Sequence, residues 1–243
     1  MPTTDSLYLR DAYLREFDAR VIAVDPEGCR VALDRSAFYP TGGGQPNDTG
    51  TIGDAAVVDV SRADGLVWHT LVGPLPADGD TVHGQLDWER RHALMRTHTS
   101  LHVLGGVIWN EWRVAATGNN MTPLTARIDY EFDPLPDGFA ARLEELINLE
   151  IAADRPIVVS FLPRGVTDVD PELIRTKANL IPPSVTEVRV VDIVGLDKQA
   201  DGGTHVRSTG EIGRVAVTKT ESKGKGNKRI RIEVRDQDVT PPR

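Results

Sequence analysis

Arg96-Thr97-His98-Thr99-Ser100-Leu101-His102 lies inside the longest periodic stretch of this 243-residue chain. From about Trp88 to Trp112, the residues Leu94, His98, Leu101, His102, Leu104, Ile108 and Trp112 recur at three- and four-residue steps, the spacing of one helical face. Residues at i and i+4 on a helix stand one above the other, so both imidazoles can reach a single metal ion. They share that face with core-directed side chains, which places them in the wall of a pocket and off the open surface.

Far downstream, Ala200-Asp201-Gly202-Gly203-Thr204-His205 offers a complement. His98, His102, Asp201 and His205 together supply three nitrogens and one carboxylate oxygen, which suits the tetrahedral preference of Zn²⁺. The residues alone admit a plainer reading, in which the two helical histidines are half-buried core residues and Gly202-Gly203 is a turn.

Outward from this centre, the composition is that of an ordinary globular protein with room for one large domain or two modest ones. No apolar run reaches the length of a membrane span, and the N-terminus carries Asp5 and Arg10 with no apolar signal core, so a cytoplasmic protein without a membrane partner is expected. The single cysteine, Cys29, excludes an intramolecular disulfide and sits in an apparent turn with no partner motif. A net charge of −8 argues against indiscriminate nucleic-acid binding and gives no reason to expect DNA as a partner. Yet eight basic and two acidic residues between Arg214 and Arg235 leave a local charge of +6, a cationic patch on an acidic chain.

The expected fold is α+β: a small antiparallel β-barrel over 1–88, followed by an α+β metal-binding domain over 89–243. Val21 to Val24 and Val31 to Leu33 read as a hairpin around Pro26-Glu27-Gly28, and Ala55 to Val60 and Leu66 to Leu71 as another around Ala63-Asp64-Gly65. A further strand runs from Val82 to Leu86. Between the hairpins lies Phe38-Tyr39-Pro40-Thr41-Gly42-Gly43-Gly44-Gln45-Pro46, whose glycines permit either a strained turn or close approach of a ligand. After the long helix come a strand over Ala126 to Phe132 and a second helix from Asp137, as N-cap, to Ala153. Then follow a strand from Ile157 to Leu162, a short helix after Pro171, a strand from Thr186 to Ile193, and a hairpin of Arg214 to Thr220 with Arg229 to Arg235. The hairpin's cationic tip carries Lys223, Lys225 and Lys228.

A zinc held by three or four side chains would make hydrolysis the default chemistry. The spacing argues against a peptidase of the His-Glu-x-x-His type, because Thr99 follows the first histidine where such enzymes use glutamate as the general base. No Gly-x-Ser-x-Gly elbow or phosphate-binding loop offers a competing mechanism.

Several ordered motifs then carry a resemblance. His98-Thr-Ser-Leu-His102, Asp201-Gly-Gly-Thr-His205-Val206 with Thr209-Gly210-Glu211-Ile212-Gly213, and Tyr39-Pro40-Thr41-Gly-Gly-Gly-Gln45-Pro46 together resemble the free-standing alanyl-tRNA editing proteins of the AlaX type, relatives of the editing domain of alanyl-tRNA synthetase. Thr117-Gly118, Ala126-Arg127-Ile128-Asp129 and Val188-Arg189-Val190-Val191 extend the resemblance over nearly the whole chain.

The resemblance implies a Zn²⁺-dependent hydrolase, an aminoacyl-tRNA deacylase acting in trans on tRNA(Ala) mischarged with serine and, by extension, glycine. It implies that His98, His102 and His205 bind the metal, while Asp201 stands where many relatives carry a cysteine ligand. That aspartate either ligates through oxygen or orders a water. Thr117 and Asn120 are the implied contacts to the aminoacyl group, Asn120 standing where glutamine is common. Thr41, Gly43, Gly44 and Gln45 are expected to approach the acceptor end of tRNA(Ala), and Lys223, Lys225 and Lys228 its phosphates. The alternative from another class is a non-catalytic tRNA-binding or synthetase-associated module with a structural zinc, and a third reading is a zinc hydrolase of some other small ester or amide. An open coordination position separates the catalytic readings from the structural one.

Overall fold

The computed structural model describes residues 2–132, 134–167, 173, 186–224 and 226–237. Its internal contacts divide the chain into two units, Met1–Leu94 and Met95–Arg243.

The first unit contains β1 (Asp5–Ser6), β2 (Glu16–Asp25), β3 (Arg30–Leu33), β4 (Arg35–Ser36), β5 (Gly50–Ile52), β6 (Ala55–Ala63), β7 (Leu66–Val72) and β8 (Thr81–Leu86). β1 and β4 form a short parallel pair. The other six strands follow the hydrogen-bonded order β2-β3-β7-β6-β5-β8, all neighbours antiparallel, and β8 returns to pair with β2. A sheet that closes in this way leaves no free edge. Along β2 the alternation buries Phe17, Ala19 and Val21, which join Phe38, Ile52 and Val67 in one apolar cluster.

The glycine stretch is a tight turn. Gly42 and Gln45 exchange backbone hydrogen bonds of 3.0 and 2.9 Å around Gly43 (φ 58°) and Gly44 (φ 88°). Two successive left-handed residues are strained for any residue with a Cβ, which accounts for glycine at both. The loop is anchored by Asp48, whose carboxylate accepts from the Tyr39 N–H at 2.6 Å and pairs with Arg91, the Arg91 Nε lying 3.0 Å from both oxygens. Both side chains are fully buried, and Arg91 also donates to the carbonyls of Ala12 and Ala37. A buried ion pair is tolerated when further hydrogen bonds satisfy it in this way.

Helix α1 runs Trp88–Trp112, as its periodicity predicts, and the division between the units falls within it. Asp87 caps its start, accepting from the Arg90 N–H at 3.1 Å, and a left-handed Arg113 (φ 57°) ends it.

The second unit continues with β9 (Ala116–Thr122), β10 (Thr125–Tyr130), α2 (Phe139–Ala152), β11 (Ile157–Pro163), a single turn α3 (Arg164–Thr167), β12 (Glu187–Ile193), β13 (Asp197–Ala200), β14 (Arg214–Ser222) and β15 (Lys228–Arg235). One sheet has the order β14-β15-β10-β9 and the other β11-β12-β13. Helix α2 covers the edge of β14: the Asn148 carboxamide donates to the Val215 carbonyl at 2.7 Å and accepts from its N–H at 3.0 Å. This satisfies backbone groups that an edge strand otherwise exposes.

The expected N-cap, Asp137, does not cap α2. The left-handed Gly138 (φ 68°) occupies that position, and the Phe139 N–H is taken by the Pro136 carbonyl at 3.2 Å, so the chain enters the helix through a glycine turn. The short helix expected after Pro171 lies outside the described residues. Among the described residues no helix is long and apolar enough to cross a membrane.

Candidate metal centre

His98 and His102 project from α1, one helical turn apart, and meet Asp201 and His205 from the loop that follows β13. The four ligand atoms all lie within 4.8 Å of one another. Oδ1 of Asp201 is 3.7 Å from His98 Nε2 and 4.0 Å from His102 Nε2, while its Oδ2 is 2.9 Å from His205 Nε2. Ligands about 2.0–2.1 Å from a tetrahedral zinc stand roughly 3.3 Å apart. The observed separations bracket that value, so this group could hold a metal ion.

Hydrogen bonding fixes how two of the histidines face the centre. The Thr99 hydroxyl gives its one hydrogen to the Met95 carbonyl at 2.8 Å and lies 3.2 Å from His205 Nδ1, so Nδ1 must be the donor in that second contact. Nε2 of His205 is then an unprotonated lone pair 2.9 Å from a carboxylate oxygen. Two acceptors facing each other need a cation between or beside them. Burial pushes His205 down to about 4, and the Arg189 guanidinium, with Nη1 3.7 Å from the same Asp201 oxygen, stands beside the carboxylate as a cation. At His102, Nδ1 donates to Oδ2 of Asp197 at 3.1 Å and again leaves Nε2 directed at the centre.

Burial is the largest influence on His98 and takes it well below its ordinary value, keeping its lone pairs available. Burial also lowers His102, but the Asp197 hydrogen bond and the nearby carboxylates outweigh it and leave the ring raised. For Asp201 burial favours the neutral acid, yet the surrounding histidines hold the carboxyl well below the usual range. Its backbone is fixed by Arg189 Nη1, which donates to the Asp201 carbonyl at 2.8 Å, and its carboxylate by the Gly203 N–H, which donates to Oδ2 at 2.7 Å. The chain bends at Gly203, and that bend holds the Asp201 carboxylate against the Gly203 N–H.

Beside the histidines opens a cavity of about 70 Å³. His98 and His102 line it together with the apolar Trp109 and the polar Asn119, Tyr130 and Gln199. At roughly 10–15 Å³ per water centre it has room for a small group and its solvent.

The structure distributes the other expected site residues unevenly. Asn120 does not face this cavity. Residues directly opposite on paired strands point to the same side; Asn119 pairs with the buried Ile128, whereas Asn120 pairs with Arg127 and lines a separate concavity with Arg127 and Arg231. The amide beside the histidines is therefore Asn119. Thr117 sits where the β9–β10 register shifts, outside the cavity lining, with Oγ1 buried and without a hydrogen-bond partner among the described residues. Thr41 is exposed, its hydroxyl 3.2 Å from Asn47 Oδ1, and Gln45 is buried; with Gly43 and Gly44 they belong to the turn of the first unit. Lys223 is exposed at the hairpin tip, Lys228 Nζ lies 3.2 Å from Ser222 Oγ, and Lys225 is outside the described residues. Asp197, Thr99, Arg189, Asn119 and Tyr130 escaped the sequence reading because nothing in linear spacing links Thr99 to His205 or Asp197 to His102.

The geometry defines a strand-rich α+β protein with a buried three-histidine, one-aspartate centre. Residues 188–231, which contain Asp201 and His205, match the threonyl and alanyl tRNA synthetase second additional domain, and residues 12–90 match tRNA synthetases class II (A). The alanyl-tRNA editing protein AlaX-M of Saccharolobus solfataricus is 37% identical over 243 residues, covering 96% of this chain and 99% of that protein. AlaX-M of Methanosarcina mazei is 35% identical, covering 96% and 98% respectively. The alanine–tRNA ligase of Pyrobaculum neutrophilum is 39% identical over 238 residues, but the chain spans only 26% of that enzyme's length. The chain belongs to the AlaX family of alanyl-tRNA editing proteins.

Proposed function

We propose that this protein is a trans-acting editing hydrolase that removes serine, and by the same chemistry glycine, from mischarged tRNA(Ala). The observation that carries the reading is the cavity against His98 and His102: a structural metal site is closed, whereas a catalytic one keeps an open side where substrate can enter. The AlaX relatives support the substrate class by their names.

In this reading His98, His102 and His205 would hold Zn²⁺, with Asp201 ordering a water at the open fourth position, and the metal when bound supplies Lewis acidity toward an ester carbonyl. Asp197 and Thr99 hold the His102 and His205 rings in the tautomers that direct Nε2 inward. Trp109 and its apolar neighbours exclude bulk water from the aminoacyl group, and the Asn119 amide offers it a donor and an acceptor. Water adds to the carbonyl carbon, the bond to the ribose oxygen breaks, and free amino acid leaves. Serine differs from alanine by one hydroxyl, and a pocket built to bond that hydroxyl leaves its own polar groups unpaired when alanine enters, which spares the correctly charged tRNA.

The reading also divides labour along the chain. Residues 1–88 form a small antiparallel barrel whose Thr41, Gly43, Gly44 and Gln45 meet the acceptor end, and residues 89–243 form the editing domain, with Lys223, Lys225 and Lys228 on the phosphates. The cytoplasm, where translation supplies charged tRNA, is the proposed location.

The test is deacylation of seryl-, glycyl- and alanyl-tRNA(Ala) by the native protein and by a His98→Ala, His102→Ala variant. Loss of serine with alanine spared, and an inactive but folded variant, is the expected result. Binding of all three without hydrolysis would instead leave a tRNA-binding module with structural zinc.

A further inference from the structure

Tyr130 is 1% exposed, its hydroxyl has no hydrogen-bond partner among the described residues, and the residue lines the cavity beside His98 and His102. A buried polar group without a partner costs free energy, and such a group in a folded protein calls for an explanation. Its position is well defined. A Cβ built on Gly105, one helical turn beyond His102, would stand 3.7 Å from the Tyr130 oxygen, so the phenol reaches across to the α1 face that carries the histidines. In β10, Tyr130 lies on the same side as Ile128, opposite Ala116 on β9, which presents only a methyl group, and Lys228 on β15, whose Nζ lies 3.2 Å from Ser222 Oγ. Burial raises the phenol above its ordinary value, so it remains a neutral donor.

We infer that the Tyr130 hydroxyl is the group that recognises the side-chain hydroxyl of the amino acid to be removed. This rests on the editing reading and names its specificity-determining residue. A phenol can donate one hydrogen bond and accept another, and the seryl oxygen can do the same, so serine satisfies both partners. Alanine brings a methyl group to that point and glycine brings nothing; both leave the tyrosine as it stands in the free protein. The other unpartnered hydroxyl in this region, Thr117 Oγ1, lies outside the cavity lining, so Tyr130 takes precedence.

The experiment compares the full-length zinc-loaded protein with its Tyr130→Phe variant on seryl-, glycyl- and alanyl-tRNA(Ala), reading kcat/KM for each. Tyr130→Phe should lower the seryl value about tenfold, one neutral hydrogen bond, and leave the glycyl value unchanged. A seryl value unchanged in Tyr130→Phe, or an equal fall on serine and glycine, overturns the assignment while the editing reading stands. Native protein inactive on all three overturns both. Thermal melting gives a second readout: with no partner to lose, Tyr130→Phe should melt at or above the parent temperature, and a clear drop would show that the hydroxyl is tied up structurally.

Discussion

Asp197 Oδ2 accepts a hydrogen bond from His102 Nδ1 across 3.1 Å, joining the start of β13 to the histidine face of α1. Gly106 makes the approach possible, because a Cβ there would come within 3.0 Å of Leu196 Cγ and 3.1 Å of Asp197 Cβ. Carboxylates that orient a metal-binding imidazole typically contribute about 10–100-fold in affinity. Asp197→Ala should weaken zinc binding by that factor in a chelator competition, with Asp197→Asn in between. Equal affinity in all three proteins would remove Asp197 from this role.

Asp201 stands at the centre of the cluster, and its identity is open to a spectroscopic test. In cobalt-substituted protein, Asp201→Cys should retain the metal and gain a thiolate charge-transfer absorption that the parent lacks, because a sulfur at that position would reach the ion. Absence of the band in a variant that still binds cobalt would show that residue 201 does not ligate.

His69 gives a pH dependence separate from the metal centre. It is fully buried in the first unit, with Nε2 2.8 Å from the Ser36 hydroxyl and Nδ1 3.2 Å from the Val31 carbonyl, and burial lowers it to about 4. The unfolded chain takes up this proton near pH 6.5 and the folded one only near pH 4. Stability from this group is therefore complete above pH 6.5 and falls as pH drops toward 4, by roughly 3 kcal/mol in all. Urea denaturation of the protein and of His69→Gln between pH 7 and 4 should show a shallower decline in the variant.

The Arg91–Asp48 pair anchors the glycine turn with both charges fully buried. Removing one partner strands the other, so Arg91→Met or Asp48→Asn should each cost about 3–5 kcal/mol. The Arg91→Met, Asp48→Leu double variant should recover part of that loss in chemical denaturation. Additive losses would mean that the two charges are not coupled.

The cationic hairpin tip predicts a salt effect. Changing Lys223, Lys225 and Lys228 to alanine should weaken tRNA binding and reduce the slope of log affinity against log salt by up to about 2–3, since each phosphate contact contributes roughly 0.7–0.9. An unchanged slope would place the phosphate contacts elsewhere.

The sequence by itself determined the elements whose signal is periodic and local. The bounds of α1, the two hairpins of the first unit and the cationic β14–β15 hairpin follow from apolar spacing and turn residues, because those patterns depend on neighbours a few positions away. The grouping of His98, His102, Asp201 and His205 was legible for a related reason: two histidines four apart on a helix declare a shared face, and the Asp-Gly-Gly-Thr-His stretch offers a complement.

What surrounds the ligands was decided only in three dimensions. Gly138 displaced Asp137 at the start of α2 because a left-handed glycine turn needs no side-chain cap. Strand pairing sets Asn119 beside the buried Ile128 and toward the histidines, and Asn120 beside Arg127 and away, a difference that strand alternation makes absolute and that composition cannot reveal. Thr99 with His205 and Asp197 with His102 are contacts between segments about a hundred residues apart, 106 and 95 positions respectively. Hydrogen bonds over such separations exist only once the sheets and α1 have packed, and they set the tautomers that turn four spaced residues into one group that could hold a metal ion.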